Sequence, residues 1–477
     1  YDLGRAYCGK MSHLRKEPFA EEGPRSENLL LKSGLHLRKT CGEEIMNKIT
    51  VIGAGLAGCE AAHKLSSLGF SVRLCEMKPE KRTPAQKSDG FAELVCSNSL
   101  KAMRLESGAG LLKEEMRRLG SVTMEAAEKT SVAAGGALAV DRELFSEYIT
   151  EKIKSDPNIE IVTGEVTELP SEGIVIVATG PLTSDALAES LRQKFGGTLS
   201  FFDAVAPIVT TDSVDMDRVF MGARYDRGEA DYINCPMERD EYDAFYDALV
   251  SAERAPLHDF DDADPKVYEG CMPIEVMAGR GRDTLRYGPL RPVGLINPHT
   301  GRRPWANIQL RKENAAGTMY NIVGFQTNLK FGEQKRVFSM IPGLEHAEFV
   351  RYGVMHRDTF MDSPRLLSKS LSLKSEPRLF FAGQFTGVEG YTGSAATGIL
   401  AGINAARFAT GEEPLVLPPE TMLGALVNYI TDESVDNFQP MGANMGILPP
   451  LEKKIRHKDE RYAALAERAI AGLEAVL

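Results

Sequence analysis

Two hydrophobic periodicities alternate along the first half of the chain. Ile49-Thr50-Val51-Ile52 is a short strand-type run, and Ala61, Ala62 and Leu65 after it fall on one helical face. Ser71 to Leu74 repeats the strand pattern, Leu111 to Leu119 reads as an amphipathic helix, and Val140-Asp141-Arg142 leads into a helix carrying Leu144, Phe145 and Tyr148. Ile159 to Val166 is a further strand, and Ile174 to Ala178 is apolar throughout, as a parallel strand buried on both faces must be. Pro79 to Gly90, with Lys81, Arg82, Pro84 and Lys87, is polar and reads as a loop. From Phe201 to Gly343 the strand-helix rhythm is lost, and it returns at Leu379-Phe380-Phe381. The pattern predicts an α/β protein whose doubly wound domain is discontinuous, with residues 46–200 and 344–477 as its two parts and 201–343 as an inserted α+β domain.

The turns between these elements carry the first chemistry. Ile52 runs into Gly53-Ala54-Gly55-Leu56-Ala57-Gly58 and then directly into the helix, the setting a dinucleotide fingerprint requires. Gly53 permits the tight turn, Gly55 lets backbone N–H groups approach a pyrophosphate, and Gly58 lets helix and strand pack closely. The second strand ends in Glu76, placed to accept hydrogen bonds from a ribose. Ala178-Thr179-Gly180 resembles the turn of FAD proteins of the glutathione-reductase type, and in such proteins the backbone near Val166 meets the adenine. Near the end, Gly383-Gln384 follows a strand, and a helix opening in Gly390-Tyr391-Thr392-Gly393 would aim N–H groups at the flavin and second phosphate. The expected fold is therefore a Rossmann-like FAD-binding domain. No second fingerprint follows a strand, so a separate NAD(P)H domain is not indicated.

Charge and cysteine content narrow the class. The net charge of -11 argues against nonspecific nucleic-acid binding by the whole surface, but it leaves room for a local basic face. Residues 201–270 hold eighteen Asp/Glu against six Lys/Arg, whereas residues 271–336 hold four acids against eleven bases. The basic set is Arg280, Arg282, Arg286, Arg291, Arg302, Arg303, Arg311, Lys312, Lys330, Lys335 and Arg336, interleaved with Tyr287, His299, Trp305 and Phe331. That mixture suits phosphate contacts with base stacking, or equally a solvated face pairing with the acidic half. There is no apolar run of transmembrane length and no signal peptide, so no membrane association and a cytoplasmic location are expected. Residues 1–45 mix eight Lys/Arg with seven Asp/Glu without periodicity, and Met46 stands just before the first strand. They read as a disordered or non-native leader, with Met46 as the natural start.

Seven cysteines without Cys-x-x-Cys make a disulfide framework or a metal site an unsuitable reading. Cys59 and Cys75 read as small buried residues, and Cys235 as a structural thiol. Cys96, in Leu94-Val95-Cys96-Ser97-Asn98-Ser99, sits either at a plain helix start capped by Ser97 or Asn98, or beside helix-terminal N–H groups that would lower its thiol pKa and make it reactive. Cys271, bracketed by Glu269 and Glu275 and followed by Arg280 and Arg282, would suit a nucleophile serving an anionic substrate.

Taken together, Gly53 to Gly58, Ala92-Glu93-Leu94-Val95-Cys96-Ser97-Asn98-Ser99, Asn234-Cys235-Pro236-Met237, Cys271-Met272-Pro273-Ile274-Glu275, Arg286-Tyr287-Gly288-Pro289-Leu290 and Gly383-Gln384 with Gly390-Tyr391 resemble the TrmFO family. These are bacterial folate- and FAD-dependent tRNA (uracil-5-)-methyltransferases, related to GidA. The resemblance runs from about Met46 to the C-terminus. It implies formation of 5-methyluridine at T-loop uridine 54, with 5,10-methylenetetrahydrofolate as carbon donor, reduced FAD as hydride donor and NAD(P)H as reductant. It implies Cys271 as the nucleophile adding to uracil C6, Cys96 as the base taking the C5 proton, and the T-arm of tRNA on the basic strip, with no stable protein partner. The alternatives are a GidA/MnmG-like enzyme of the wobble uridine, a small-molecule FAD oxidoreductase, and a noncatalytic flavoprotein that remodels tRNA.

Overall fold

The structure, a computed structural model, describes residues 48–477 other than Pro84, 196–198, Val205, 227–229, 256–271, 314–316, Val354, 436–437 and Gln439; for 199–204, Asp226 and 355–359 it describes the backbone alone. The expected leader 1–45, Met46 and Cys271 lie outside the described residues.

The strand-type runs assemble into one six-stranded sheet. Its order is Ser372–Leu373, Glu376–Phe381, Val175–Val177, Lys48–Ile52, Ser71–Glu76 and Ile159–Thr163, parallel throughout except for the antiparallel pair at the Ser372 edge. Register aligns Ile52 with Cys75 and with Val177, and Val177 with Phe381. The glycine turns that follow these strands therefore gather along one edge, where the strand order reverses around the first strand. Ligands of doubly wound sheets bind at such an edge. The fold class read from the sequence, α/β with a discontinuous Rossmann-like domain, is the fold observed.

One face of this sheet is covered by the helices Leu56–Ser67 and Tyr391–Thr410. The other packs Val175, Val177, Leu379 and Phe381 against Leu187, Leu191 and Phe385. The helix Arg142–Lys154 begins at Asp141, whose carboxylate accepts N–H groups of Glu143 and Leu144, and this explains why the Val140-Asp141-Arg142 segment starts a helix. Gly108–Arg118 is the expected amphipathic helix.

A second six-stranded sheet, antiparallel, is ordered Phe220–Gly222, Tyr232–Met237, Ala306–Lys312, Met319–Ile322, Ile208–Thr210 and Phe349–Arg351; five of its strands lie in the expected insert 201–343, and the sixth, past that bound, joins the insert's sheet rather than the parallel one. Its core joins Ile233, Cys235, Ile308 and Leu310 of the strands to Tyr242, Phe245, Ile274 and Phe338 of the helices. A two-stranded ribbon of Leu199–Ala204 with Met355–Phe360 forms the neck between the two parts.

The helix-start reading of Ser97 and Asn98 is overturned. They lead instead into the strand Ser99–Ala102, paired with Ala137–Val140. Ser97 Oγ caps nothing helical; it accepts the N–H of Ser99 at 3.0 Å. Among the described residues no helix is long and apolar enough to cross a membrane, and no group of three or more His, Cys, Asp or Glu could hold a metal ion.

Candidate active site

The first turn is built by exclusion of side chains. Gly53 has φ +97°, and a Cβ there would lie 2.7 Å from the carbonyl oxygen of Ala178. A Cβ at Gly58 would collide with the Gly53 carbonyl, whereas one at Gly55 would meet nothing within 4 Å. Gly53 and Gly58 are thus demanded by the protein's own packing. Gly55, at the N-cap of the Leu56–Ser67 helix, leaves open space at a positive helix end, which suits an anionic phosphate. Ala54, Leu56 and Ala57 are buried beside it.

Glu76 closes the turn. Its Oε2 accepts the N–H of Ala54 at 2.7 Å and its Oε1 that of Lys78 at 3.0 Å, which fixes the carboxylate with lone pairs to spare for a diol. It lines a cleft of about 530 Å³, open mouth included, together with Gly55, Gln86, Val166, Thr183 and Ser184. Gly180, φ +70°, comes directly after the cleft residue Thr179. This cleft can take an adenosine.

The two covering helices are in intimate contact. A Cβ at Gly398 would lie 2.2 Å from the Ala57 carbonyl oxygen, and one at Gly402 would lie 3.0 Å from that of Ala61. Residue numbers rise together at both contacts, so the helices run parallel. Tyr391 is seven residues ahead of Gly398 while Leu56 is one ahead of Ala57, so the long helix starts about 9 Å beyond the first at 1.5 Å per residue. Two positive helix ends are thus staggered along one groove, at a spacing suited to an extended dinucleotide. Gly383, φ +83°, places its notional Cβ 3.1 Å from Ala57, and its N–H bonds to Thr397 Oγ1 at 2.9 Å. Gln384 opens the short turn Gln384–Thr386, Gly390, φ +89°, caps the long helix, and Thr392 is buried in its first turn.

Tyr391 links this groove to Cys96. Its hydroxyl accepts the N–H groups of Cys96 at 2.7 Å and Ser97 at 3.0 Å. Burial, and then the proximity of Cys96, push the phenol pKa well above its ordinary value, so the hydroxyl stays neutral. Cys96 itself is partly exposed, whereas Cys59, Cys75 and Cys235 are buried, and burial raises the pKa of all three. The rest of the Cys96 loop is tied on every side. Arg142 donates to the Leu94 carbonyl, Arg351 Nη2 to that of Val95 at 2.6 Å, and Arg311 to Ser97 Oγ at 3.0 Å and Asn98 Oδ1 at 3.1 Å. The buried Asn98 amide donates to the carbonyls of Val140 and Lys312. None of these arginine contacts was visible in the sequence, because their partners lie 48 to 256 positions away.

Cys271 lies outside the described residues, but the segment after it is anchored. The N–H of Ile274 bonds to the Gln326 carbonyl, and the buried Glu275 accepts from Thr327 Oγ1 at 2.8 Å and Asn328 N–H at 2.7 Å. Glu275 is thus a structural anchor. From there Phe331, more than half exposed, stacks on Tyr352 at 5.0 Å, and Tyr352 on Phe349 at 5.3 Å. Arg351, which holds the Cys96 loop, sits within this run. The Cys96 loop and the segment that starts at Met272 are therefore bridged by Gln326 to Phe331 and Phe349 to Tyr352.

The basic strip divides. Arg282 pairs with Asp243 and Asp247, Lys330 with Glu253, Arg286 with Asp283, and Arg336 with Glu333. Arg311 is buried against the Cys96 loop. Arg291, Arg302 and Arg303 are exposed, as is Tyr287 at 82%, and among the described residues these three arginines make no ion pair.

Comparison with known proteins matches this architecture. The family described as Glucose inhibited division protein A, GIDA, matches residues 48–413. Methylenetetrahydrofolate--tRNA-(uracil-5-)-methyltransferase TrmFO of Lactiplantibacillus plantarum is 60% identical over 427 residues, 89% of this chain and 96% of that protein. The TrmFO of Geobacter sulfurreducens is 58% identical over 89% of this chain and 98% of its own length. Among solved structures, Aquifex aeolicus GidA superposes with a TM-score of 0.65 at 18% identity, covering 90% of this chain and 73% of that one, a likeness of fold. With matches of this identity over nearly nine-tenths of its length, the chain belongs to the GIDA family and, among its members, to the TrmFO methyltransferases.

Proposed function

We propose that this chain is a methylenetetrahydrofolate-dependent tRNA (uracil-5-)-methyltransferase, acting on uridine 54 of the T-loop in the cytoplasm with NAD(P)H as reductant. The observation that carries the reading is Tyr391, which starts the second helix of the dinucleotide groove and holds the backbone of Cys96. A reactive thiol at the far end of an FAD-type groove is what uracil methylation by a flavoprotein needs. The relatives' names supply the substrate class.

The residues present fit FAD. Glu76 would hold the adenosine ribose, with Val166 beside the adenine, the N-terminus at Gly55 would hold the pyrophosphate, and Gly383, Gln384, Gly390, Tyr391 and Thr392 would face the flavin end. When bound there, FAD supplies the hydride that completes the methyl group. The chain's own chemistry concerns the uracil. Cys271 adds through sulfur to C6, the C5–C6 π electrons move toward O4, and C5 becomes nucleophilic. After C5 has taken up the carbon from methylenetetrahydrofolate, Cys96 removes the C5 proton, and that electron pair forms an exocyclic C5=CH2 bond as the carbon leaves its carrier nitrogen; once the methylene has received its hydride, the electron pair returned to C5 breaks the S–C6 bond and releases the thiolate of Cys271. The exposed Arg291, Arg302 and Arg303, with the Tyr287 and Phe331 rings, supply phosphate and base contacts for the T-arm.

Transfer of labelled carbon from methylenetetrahydrofolate to unmodified tRNA, with NAD(P)H present and S-adenosylmethionine absent, tests this. The expected product is label in 5-methyluridine of the T-loop. No transfer by FAD-loaded protein would overturn the reading and direct attention to the wobble uridine.

A further inference from the structure

The Cys96 loop belongs to the dinucleotide domain, yet two of its anchors belong to the insert's sheet. Arg311 lies on the insert strand Ala306–Lys312, and Arg351 on the edge strand Phe349–Arg351. Arg311 is buried and its guanidinium donates to Ser97 and Asn98, while that of Arg351 donates to Val95. Among the described residues neither forms an ion pair. The third guanidinium, Arg142, is paired with the buried Glu313, with Nε 2.6 Å from Oε1. That pair cancels, and two positive charges remain beside Cys96.

A buried guanidinium without a carboxylate partner is costly unless another negative charge serves it. Burial pulls the pKa of both arginines down, and Arg142 adds repulsion; Cys96 acts in the opposite sense on both, with Glu313, with Tyr232 at Arg311 and with Tyr391 at Arg351. Among the described residues, Arg311, Arg351 and Tyr391 each feel the charge of Cys96, and Arg142 and Glu313 act on the two arginines beside it. Tyr391 stays neutral and offers Cys96 no positive charge.

We propose that Arg311 and Arg351 are positioning residues that hold Cys96 as a thiolate, so that the insert supplies the charge that makes the other domain's thiol a ready proton acceptor. This deepens the reading of Cys96 as the base and rests on it. The sulfur gains its negative charge by losing a proton to water, and no oxidant is involved. The insert's docking is thereby coupled to the chemistry, and a chain whose insert has shifted would carry a neutral, idle thiol.

The test is the pH dependence of Cys96 alkylation by iodoacetamide in the full FAD-loaded chain, read on the Cys96 peptide by mass spectrometry. Arg351→Met should raise the midpoint by about one pH unit, a tenfold slower reaction at neutral pH, with the same plateau at high pH. Arg351→Lys should stay near wild type, and Arg311→Lys should do likewise if it folds. An unshifted midpoint in Arg351→Met, equal shifts in the Met and Lys variants, or a changed plateau alone would overturn the inference. Because alkylation needs neither RNA nor folate, its failure is distinguishable from failure of methyl transfer.

Discussion

Replacing Gly398 by alanine probes whether the cofactor groove depends on the near-contact of its two parallel helices. The added methyl would stand 2.2 Å from the Ala57 carbonyl oxygen and 2.7 Å from its Cα, and ordinary contact begins at 3.4 Å. Neither neighbour is a side chain that can rotate away, so the helices must part by about 1 Å. Overpacking of that kind costs about 1–3 kcal/mol. Alanine returns about 1 kcal/mol of helix propensity over glycine, leaving a net loss of up to about 2 kcal/mol. Gly402→Ala is the internal control: its methyl would meet the Ala61 carbonyl oxygen at 3.0 Å, a strain of tenths of an ångström that the propensity gain offsets. Separating the helices also separates the two positive ends that would grip FAD. The assay is the FAD-to-protein ratio after desalting, with thermal unfolding in parallel. Gly398→Ala should lose FAD and a few degrees of Tm while Gly402→Ala changes little. Wild-type FAD retention in Gly398→Ala, or a larger loss in Gly402→Ala, would refute the reasoning.

Other perturbations address separate parts of the molecule. Glu76→Ala leaves the buried N–H of Ala54 without its acceptor, a cost of about 1–3 kcal/mol, and should weaken FAD binding at least tenfold in a fluorescence titration; unchanged affinity would exclude the assigned role. Phe331→Ala should weaken binding of a T-arm RNA about tenfold at fixed salt while Phe331→Tyr does not, and equal gel-shift affinities would remove Phe331 as a stacking platform. Burial, and then the charges of Lys152 and Lys64, bring the His63 imidazole down to about 4. The unfolded chain protonates this histidine near its ordinary pKa of about 6.5, so the unfolded state binds more protons between pH 6.5 and 4 and stability is lost as pH falls through that window. His63→Gln should flatten that acid limb by up to about 3 kcal/mol, and parallel denaturation curves for variant and wild type would contradict it.

The dinucleotide domain was legible because its signals are local. Gly53 and Gly58 are excluded from bearing a Cβ by atoms of the same strand-turn-helix or of the adjacent strand, and such constraints recur wherever the motif is used. Both readings of Cys96 expect a helix terminus because Ser97 and Asn98 carry cap-like side chains, and the structure has a loop and a strand there. Their partners, however, are Arg311, Lys312 and Val140, and no window of sequence around Cys96 contains them. The basic strip was legible as composition and not as surface: periodicity could not tell that Arg282 faces Asp243 and Asp247 while Arg303 faces solvent. Arg351 gave no signal at all, since its role depends on a strand edge brought to Val95 by the insert's fold.

The central sheet is completed by a strand, Glu376–Phe381, that pairs with Val175–Val177 across the whole insert. On the ribosome, therefore, the first half of the nucleotide domain emerges with an open edge at Val175–Val177. The insert's sheet, closed by Arg351, can form while that edge still waits. Capture of the cofactor comes last, after the long helix has left the exit tunnel and seated Gly398 on Ala57. A nascent chain arrested once Arg351 has left the exit tunnel, with Glu376–Phe381 still inside it, should thus present a folded insert on an unfinished, sticky sheet, a form in which chaperone dependence is concentrated.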